Sequence, residues 1–152
     1  MLAKMYGVAI LFSTLIMAAA LPAPVQAASI LQVNLQVIKA EAGGGRVDPK
    51  LRDFVEELKP VLNFTGFTLL ESLQFDMMQN TSYEAPIAGE RVLKFHFTGF
   101  NGPHARLEMD IWEKGRRTFN TTVLLVDNGS VIIGGPPLDT GMLLLRVRGR
   151  FK

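Results

Sequence analysis

The chain has 152 residues, a formal net charge of +2 and no cysteine. The lack of cysteine excludes disulfides, thiol chemistry and thiolate metal sites. The nearly balanced charge argues against nucleic acid as a partner, because nucleic-acid-binding proteins usually carry a strong excess of basic residues.

Residues 1–27 have the pattern of a cleavable secretory signal peptide. A basic residue precedes the apolar run 7–20, and Val25 and Ala27 place small residues three and one positions before a cleavage site. The run is shorter than the ~20 residues that span a bilayer, and two prolines follow it. We therefore expect an exported protein, periplasmic or extracellular and of bacterial type. It should have a single β-rich domain over residues 28–152 and no membrane-spanning segment after cleavage.

A strand and a single helix are predicted at the start of this domain. Leucine and valine alternate with glutamine and asparagine over residues 31–37, so one face of an extended segment is apolar. Three glycines at 43–45 break the strand. Asp48 can cap a helix that begins with Pro49, and Pro60 ends or kinks it. The apolar stripe of this helix consists of Leu51, Phe54, Val55 and Leu58, and it includes Leu62 if the helix continues past Pro60.

From Thr65 onward, apolar and polar residues alternate in successive short runs that are separated by clusters of Asn, Gly and Pro. This pattern predicts five or six further strands, and the short connections predict antiparallel pairing. The expected fold class is α+β but mostly β. It begins with a strand and one helix, and an antiparallel meander of five or six strands then forms a curved sheet or small sandwich packed on the helix.

The dipeptide Asn128-Gly129 is a typical signal for a tight hairpin turn. A two-residue loop there pairs Leu125 with Ile132 and keeps apolar side chains opposite each other. We therefore expect the strands on either side of this turn to be hydrogen-bonded neighbours.

Asn101-Gly102 is a second turn signal, with a different consequence for the register. A two-residue loop there places Phe97 opposite Arg106, which mixes the apolar and polar faces of the two strands. This hairpin therefore requires a loop of odd length or a β-bulge.

The last strand carries the most distinctive predicted surface. Arg146, Arg148 and Arg150 alternate with apolar residues or glycine, so three cations project from one face. Such a row can bind phosphate, sulfate or carboxylate groups of an anionic envelope component or of an acidic partner protein. The alternative is a solvated edge strand whose charges discourage aggregation. Trp112, on the polar parity of its strand, is a weaker candidate for ligand or partner binding.

The two histidines, His96 and His104, are the candidate acid-base groups. His96 shares an outward face with Lys94, and the predicted hairpin sets this face against Arg106, Glu108 or Asp110, which we interpret as cross-strand charge pairing. The sequence supplies no third metal ligand and places no serine in a nucleophile-elbow pattern. We therefore predict neither a metal site nor a cofactor.

Glu71 occupies an apolar position of a predicted strand. A desolvated carboxylate there could act as a general acid. The alternative is a β-bulge near Leu70 that turns the side chain outward. We favour the bulge, because burying an unpaired carboxylate is costly.

These patterns favour a non-enzymatic binding or envelope-assembly module. One alternative is a small hydrolase that uses His96 or His104 with Glu108, Asp110 or Glu71. The other is a subunit of a larger assembly, in which the last strand completes the sheet of a neighbouring protein. The composition leaves the ligand and the oligomeric state open.

Overall fold

The computed structural model describes residues 29–58 and 61–152, so the predicted signal peptide lies outside the described residues. Strands dominate the described chain, and a 3-10 turn at Pro49–Leu51 leads into one short helix, α1 (Arg52–Leu58). The strands are β1 (Ile30–Glu41), β2 (Gly66–Met78), β3 (Thr81–Ile87), β4 (Arg91–Asn101), β5 (His104–Glu113), β6 (Arg116–Val126), β7 (Ser130–Leu138) and β8 (Gly141–Phe151).

The strands form two four-stranded sheets, in the orders β2-β1-β8-β7 and β3-β4-β5-β6, and the paired strands are antiparallel. The chain is a meander that changes sheet after β2 and again after β6. Because β1 pairs with both β2 and β8, the first and last described strands are neighbours. The predicted fold class is confirmed, and the meander takes the form of a sandwich.

The main core lies between the two sheets and is made of their inward-facing alternate residues. In β1, every second residue from Leu31 to Val37 is fully buried, as the alternation predicts. The facing strands β4 and β5 contribute large buried side chains that include Phe95, Phe97 and Met109. Each large apolar side chain buried in this way contributes about 1.5–3 kcal/mol, so packing can hold together a domain without disulfides.

Helix α1 covers one end of the outer face of the β1 sheet. Asp48 Oδ1 accepts a hydrogen bond from Lys50 N at 3.0 Å and caps the helical segment, as predicted. A second, smaller apolar cluster lies beneath the helix and contains Ile38, Ala40, Leu51, Phe54, Val55, Phe67 and Leu144. The helix therefore packs on the outside of the sandwich and leaves the rest of this face open.

The last strand, β8, is not an edge strand. It pairs with β1 along one side and with β7 along the other. The interpretation of its charges as edge protection is therefore wrong. The prediction that β8 completes the sheet of a neighbouring protein is also wrong, because both hydrogen-bonding edges of β8 are occupied.

The hairpin predicted at residues 128–129 is also wrong, because β6 and β7 belong to different sheets. Asp127 Oδ1 accepts a hydrogen bond from Phe151 N at 2.8 Å, which ties the turn to the end of β8. Across the turn, Leu125 faces the core, whereas Ile132 is 37% exposed. The chain uses this turn to pass from one sheet to the other.

The bulge predicted for the hairpin of β4 and β5 is confirmed. Phe97 lies opposite Leu107, and Gly99 lies opposite Arg106, so Thr98 is the extra residue. The bulge restores the inward position of the apolar residues on both of its sides.

Candidate functional site

The three arginines of β8 project from the outer face of the sandwich, as their alternation predicts, and lie opposite three amide side chains of β1. The cross-strand pairs are Arg146 with Gln36, Arg148 with Asn34, and Arg150 with Gln32. We call the two sets the arginine row and the amide row. They lie side by side because β1 and β8 are hydrogen-bonded neighbours, and the outward-facing residues of one strand lie opposite those of the other.

Asp76 on β2 is the carboxylate nearest in register to these rows, and it is already engaged. Its Oδ2 lies 3.0 Å from Lys152 Nζ, and its Oδ1 accepts a hydrogen bond from Gln32 Nε2 at 3.1 Å. The hydrogen bond from Lys152 holds the pKa of Asp76 below its ordinary value, and the bond from Gln32 acts in the same direction. The charge of Asp76 is therefore balanced by Lys152 and not by the arginine row.

Arg146 joins the arginine row to the helix. Its Nη1 donates a hydrogen bond to Gln36 Oε1 at 3.3 Å, and its guanidinium lies 5.1 Å from the ring centroid of Phe54. Burial lowers the pKa of Arg146, the charge of Arg148 lowers it further, and two carboxylates of α1 oppose the change. Packing on α1 therefore holds this guanidinium in place at one end of the row.

Arg148 and Arg150 are exposed. In the part of the chain that the structure describes, no arginine of the row forms an ion pair with a carboxylate. Two shallow depressions of about 210 and 220 Å³ lie between the rows and share Asn34 and Arg148. The other lining residues are Gln36 and Arg146 in the first depression, and Gln32, Gln74, Asn128 and Arg150 in the second.

This arrangement is suited to binding an anion. A guanidinium offers planar, paired donors that match two oxygens of a phosphate, sulfate or carboxylate. Amide side chains supply further donors and acceptors without adding charge. The depressions are open and lined by polar groups, so they fit a hydrated anionic or polyhydroxyl group better than an apolar molecule.

The structure separates Trp112 from the arginine row. Trp112 lies on the outer face of the other sheet, where it is half-buried and Lys94 Nζ lies 5.2 Å from its ring centroid. Its Nε1 is buried without a hydrogen-bond partner. The side chain packs on the sheet and does not extend the surface formed by the arginine row.

The histidines do not come together. His96 Nδ1 lies 3.0 Å from Ser82 Oγ, and His96 pairs across the strands with Glu108, as predicted. His104 lies at the far end of the same hairpin, opposite Asn101. Glu108 itself contacts Arg106 at 3.6 Å. Over residues 29–58 and 61–152, no group of three or more His, Asp or Glu side chains is placed to hold a metal ion.

Glu71 belongs to the other sheet and is remote from both histidines in the pairing. The predicted bulge at Leu70 is present, since the register with β1 shifts between Val37 and Ile38. The bulge does not turn the carboxylate fully outward, because Glu71 lies opposite Val37, is half-buried, and has an Oε2 atom that is buried without a hydrogen-bond partner.

The amide row is not among the residues that the sequence predicts for the site. Its only signal is the polar half of the alternation over residues 32–36, which by itself indicates no more than a solvated face. These amides lie beside the arginines only because β1 pairs with β8, more than 100 residues away, as in the hydrogen bond that links positions 110 apart.

Comparison with known proteins gives no match: no family model, curated protein or solved structure is significantly similar to this chain. In the described residues, no helix is long and apolar enough to cross a membrane.

Proposed function

We propose that this chain is an exported, non-enzymatic binding module. Its arginine row and amide row bind an anionic group, a phosphate, sulfate or carboxylate, carried by an envelope component or an acidic partner protein. The observation that carries the proposal is the alignment of three guanidiniums with three amides across β1 and β8, without a carboxylate partner for any of the three.

Retention on a phosphate-bearing cation-exchange matrix, eluted by inorganic phosphate, tests the proposal. The double variant Arg148→Glu with Arg150→Glu should lose retention and elute with the flow-through. The matched control reverses two exposed cations remote from the row, Lys114 in the turn after β5 and Arg116 on β6, and changes the net charge by the same amount. If both double variants lose retention equally, the row has no specific role and the proposal fails. Melting temperatures of all forms establish that each variant is folded.

A second candidate function is a hydrolase centred on Ser82 and His96. The contact of 3.0 Å between Ser82 Oγ and His96 Nδ1, with Glu108 on the next strand, is the observation that favours it. Ser82 is exposed on an open sheet surface, where water competes with His96 for hydrogen bonds to the serine hydroxyl. Labelling by a fluorophosphonate that is lost in Ser82→Ala and in His96→Ala would support this function, and absence of labelling in the wild type would refute it.

Strand addition remains a third candidate, although β8 cannot take part in it. The strands at the ends of the two sheets are β2, β7, β3 and β6. Light scattering on the purified protein tests homotypic pairing, for which a concentration-dependent dimer is expected and a strict monomer is the contrary result.

A further inference from the structure

The strands at the ends of the two sheets differ in how well they are protected against pairing with another chain. An edge strand exposes unpaired backbone N–H and C=O groups, and proteins usually block such edges with charges, prolines or β-bulges. Strand β3 contains Glu84 and Pro86. Strand β7 contains Pro136 and Pro137 at an irregularity of its register. Strand β2 contains a bulge and the half-buried carboxylate of Glu71. In the described chain, these three edges are therefore protected.

The fourth edge strand, β6, lacks these features over residues 119–126. This segment has the sequence FNTTVLLV, without a charged residue or a proline. Its pairing with β5 is regular from Phe119 to Val126, and the register shift of this pair lies before it. The next strand in the chain, β7, belongs to the other sheet, so the free side of β6 has no strand partner among the described residues. We call residues 119–126 the β6 edge.

The β6 edge also carries exposed aliphatic side chains. Leu124 is 54% exposed and Val126 is 46% exposed, whereas the alternate residues Val123 and Leu125 are buried between the sheets. Leu124 and Val126 therefore lie on the outer face of the β3-β4-β5-β6 sheet. A strand added alongside β6 would cover part of both side chains and would pair the free backbone groups.

A second copy of the same strand fits this edge. In antiparallel pairing about a two-fold axis perpendicular to the sheet, outward residues of one copy lie opposite outward residues of the other. An axis at Thr122 uses nearly all of the edge: Thr122 faces its own counterpart, and Asn120 faces Leu124 in both directions. Each residue near such an axis lies close to its own copy, so a charge there would be repelled by an identical charge. The lack of charged residues in the β6 edge removes this obstacle.

We infer that two copies of this chain associate through their β6 edges, in antiparallel pairing about a two-fold axis at Thr122. The two β3-β4-β5-β6 sheets then become one continuous sheet. This inference rests on the strand-addition candidate, to which it gives one strand and one partner, and it is independent of the arginine row. The arginine row lies on the outer face of the other sheet and stays accessible in this dimer.

Light scattering over a range of protein concentrations, on the wild type and two matched variants, tests the inference. The wild type should form a concentration-dependent dimer. Thr122→Glu brings the new carboxylates of both copies together at the axis, beside Glu108, which is the partner of Thr122 on β5. It should raise the dimer dissociation constant at least about tenfold. The control Thr68→Glu makes the same change at an exposed threonine of β2, an edge strand of the other sheet, and should dimerise like the wild type. Melting temperatures establish that both variants are folded.

Cross-linking gives a second measurement that leaves the charge of the edge unchanged. The chain has no cysteine, so the single thiol of Thr122→Cys can form a disulfide only with another copy. Residues that face each other across antiparallel strands are close enough for this bond. Mild oxidation should give a covalent dimer of Thr122→Cys and none of Thr68→Cys.

The possible results separate this inference from the other proposals. A strictly monomeric wild type would overturn it together with homotypic strand addition, and would leave the β6 edge to a partner of different sequence. A dimer that survives Thr122→Glu, or equal cross-linking of the two cysteine variants, would overturn the inference and point to association through another surface. Retention of the wild type on the phosphate matrix is measured independently and decides only the role of the arginine row.

Discussion

Gly141 begins β8 immediately after the β7–β8 turn, at a point where that turn lies directly on β1. A Cβ added at this position would collide with the carbonyl oxygen of Ala40 and would lie 2.9 Å from Glu41 Cγ. The obstacle is backbone rather than a flexible side chain, so the whole turn has to move. Movement of the turn would also disrupt two ion pairs of Lys39 Nζ, with Glu41 Oε1 at 2.8 Å and with Asp139 Oδ2 at 3.4 Å.

We expect Gly141→Ala to lower the free energy of unfolding by about 2–3 kcal/mol, the upper part of the range for overpacked sites. For a domain of this size the melting temperature should fall by roughly 8–12 °C. Urea unfolding can be followed by the fluorescence of Trp112, the one tryptophan of the chain.

The matched control is Gly134→Ala on the neighbouring strand β7. Its Cβ would meet only Met142 Cε, at 3.4 Å, which is an ordinary contact with a flexible side chain. We expect this variant to be within about 1 kcal/mol of the wild type. Equal stability losses in the two variants would show that the close approach of the β7–β8 turn to β1 does not constrain the fold.

Three further predictions concern the packing and charges around the sandwich. Arg91→Ala should cost about 1.5–3 kcal/mol in urea unfolding, because Nη2 of this buried side chain donates a hydrogen bond to Pro137 O in the other sheet at 2.8 Å; a loss below 0.5 kcal/mol would contradict its bridging role. Phe54→Ala should cost about 3–5 kcal/mol, since the ring is 1% exposed, and should make α1 the first site of proteolysis. The pKa values of Glu41 and Asp76 are held below their ordinary values of 4.5 and 3.8, by hydrogen bonds from Lys39 and Lys152. Their contribution to stability is therefore complete above those values and is lost as the pH falls through the lower folded-state pKa values; thermal melts from pH 7 to pH 2 should show this loss, and a melting temperature independent of pH would refute it.

Local patterns in the sequence predict the elements of this fold well. The alternation over residues 31–37 specifies a half-buried strand because side chains on a strand change face at every residue. The cap at Asp48 and the helical spacing of the apolar residues that follow predict α1 for equally local reasons. The bulge at Thr98 is predictable too, since without it Phe97 and Arg106 would share a face.

The same patterns do not predict which strands, distant in sequence, pair with each other. Leu125 and Val131 face one core whether β6 and β7 pair as a hairpin or belong to opposite sheets, so side-chain parity does not distinguish the two arrangements. Where the chain changes sheet, Asp127 accepts a hydrogen bond from the end of β8, a partner distant in sequence. The position of β8 as a central strand depends in the same way on β1, at the other end of the domain. The candidate site could not be predicted from the sequence for the same reason, because only the pairing of β1 with β8 brings the amides and arginines together.

Because β8 is a central strand, protection of a sheet edge does not explain its arginines. A strand paired on both sides needs no charge to protect an edge, and any polar outward side chain would keep this face solvated. Three guanidiniums at alternate positions, about 7 Å apart along a strand, instead repel one another by roughly 0.6 kcal/mol per adjacent pair in water before screening by salt. Burial is the largest cause of the lowered pKa of Arg146, and the charge of Arg148 lowers this pKa further, as such repulsion requires.

The neutral partners of the arginine row lead to the same conclusion. Glutamates at positions such as Gln36 would orient the guanidiniums equally well and would also cancel their charge. The amide of Gln36 accepts a hydrogen bond from Arg146 at 3.3 Å and cancels none of its charge, and Asn34 and Gln32 are the neutral partners of Arg148 and Arg150 in the register. Asp76, the one carboxylate opposite the amide row in the register with β2, is balanced by Lys152 and not by the row. This surface lines up three cations beside neutral amides and keeps their charge, and we propose that a bound anion is the partner that relieves their repulsion.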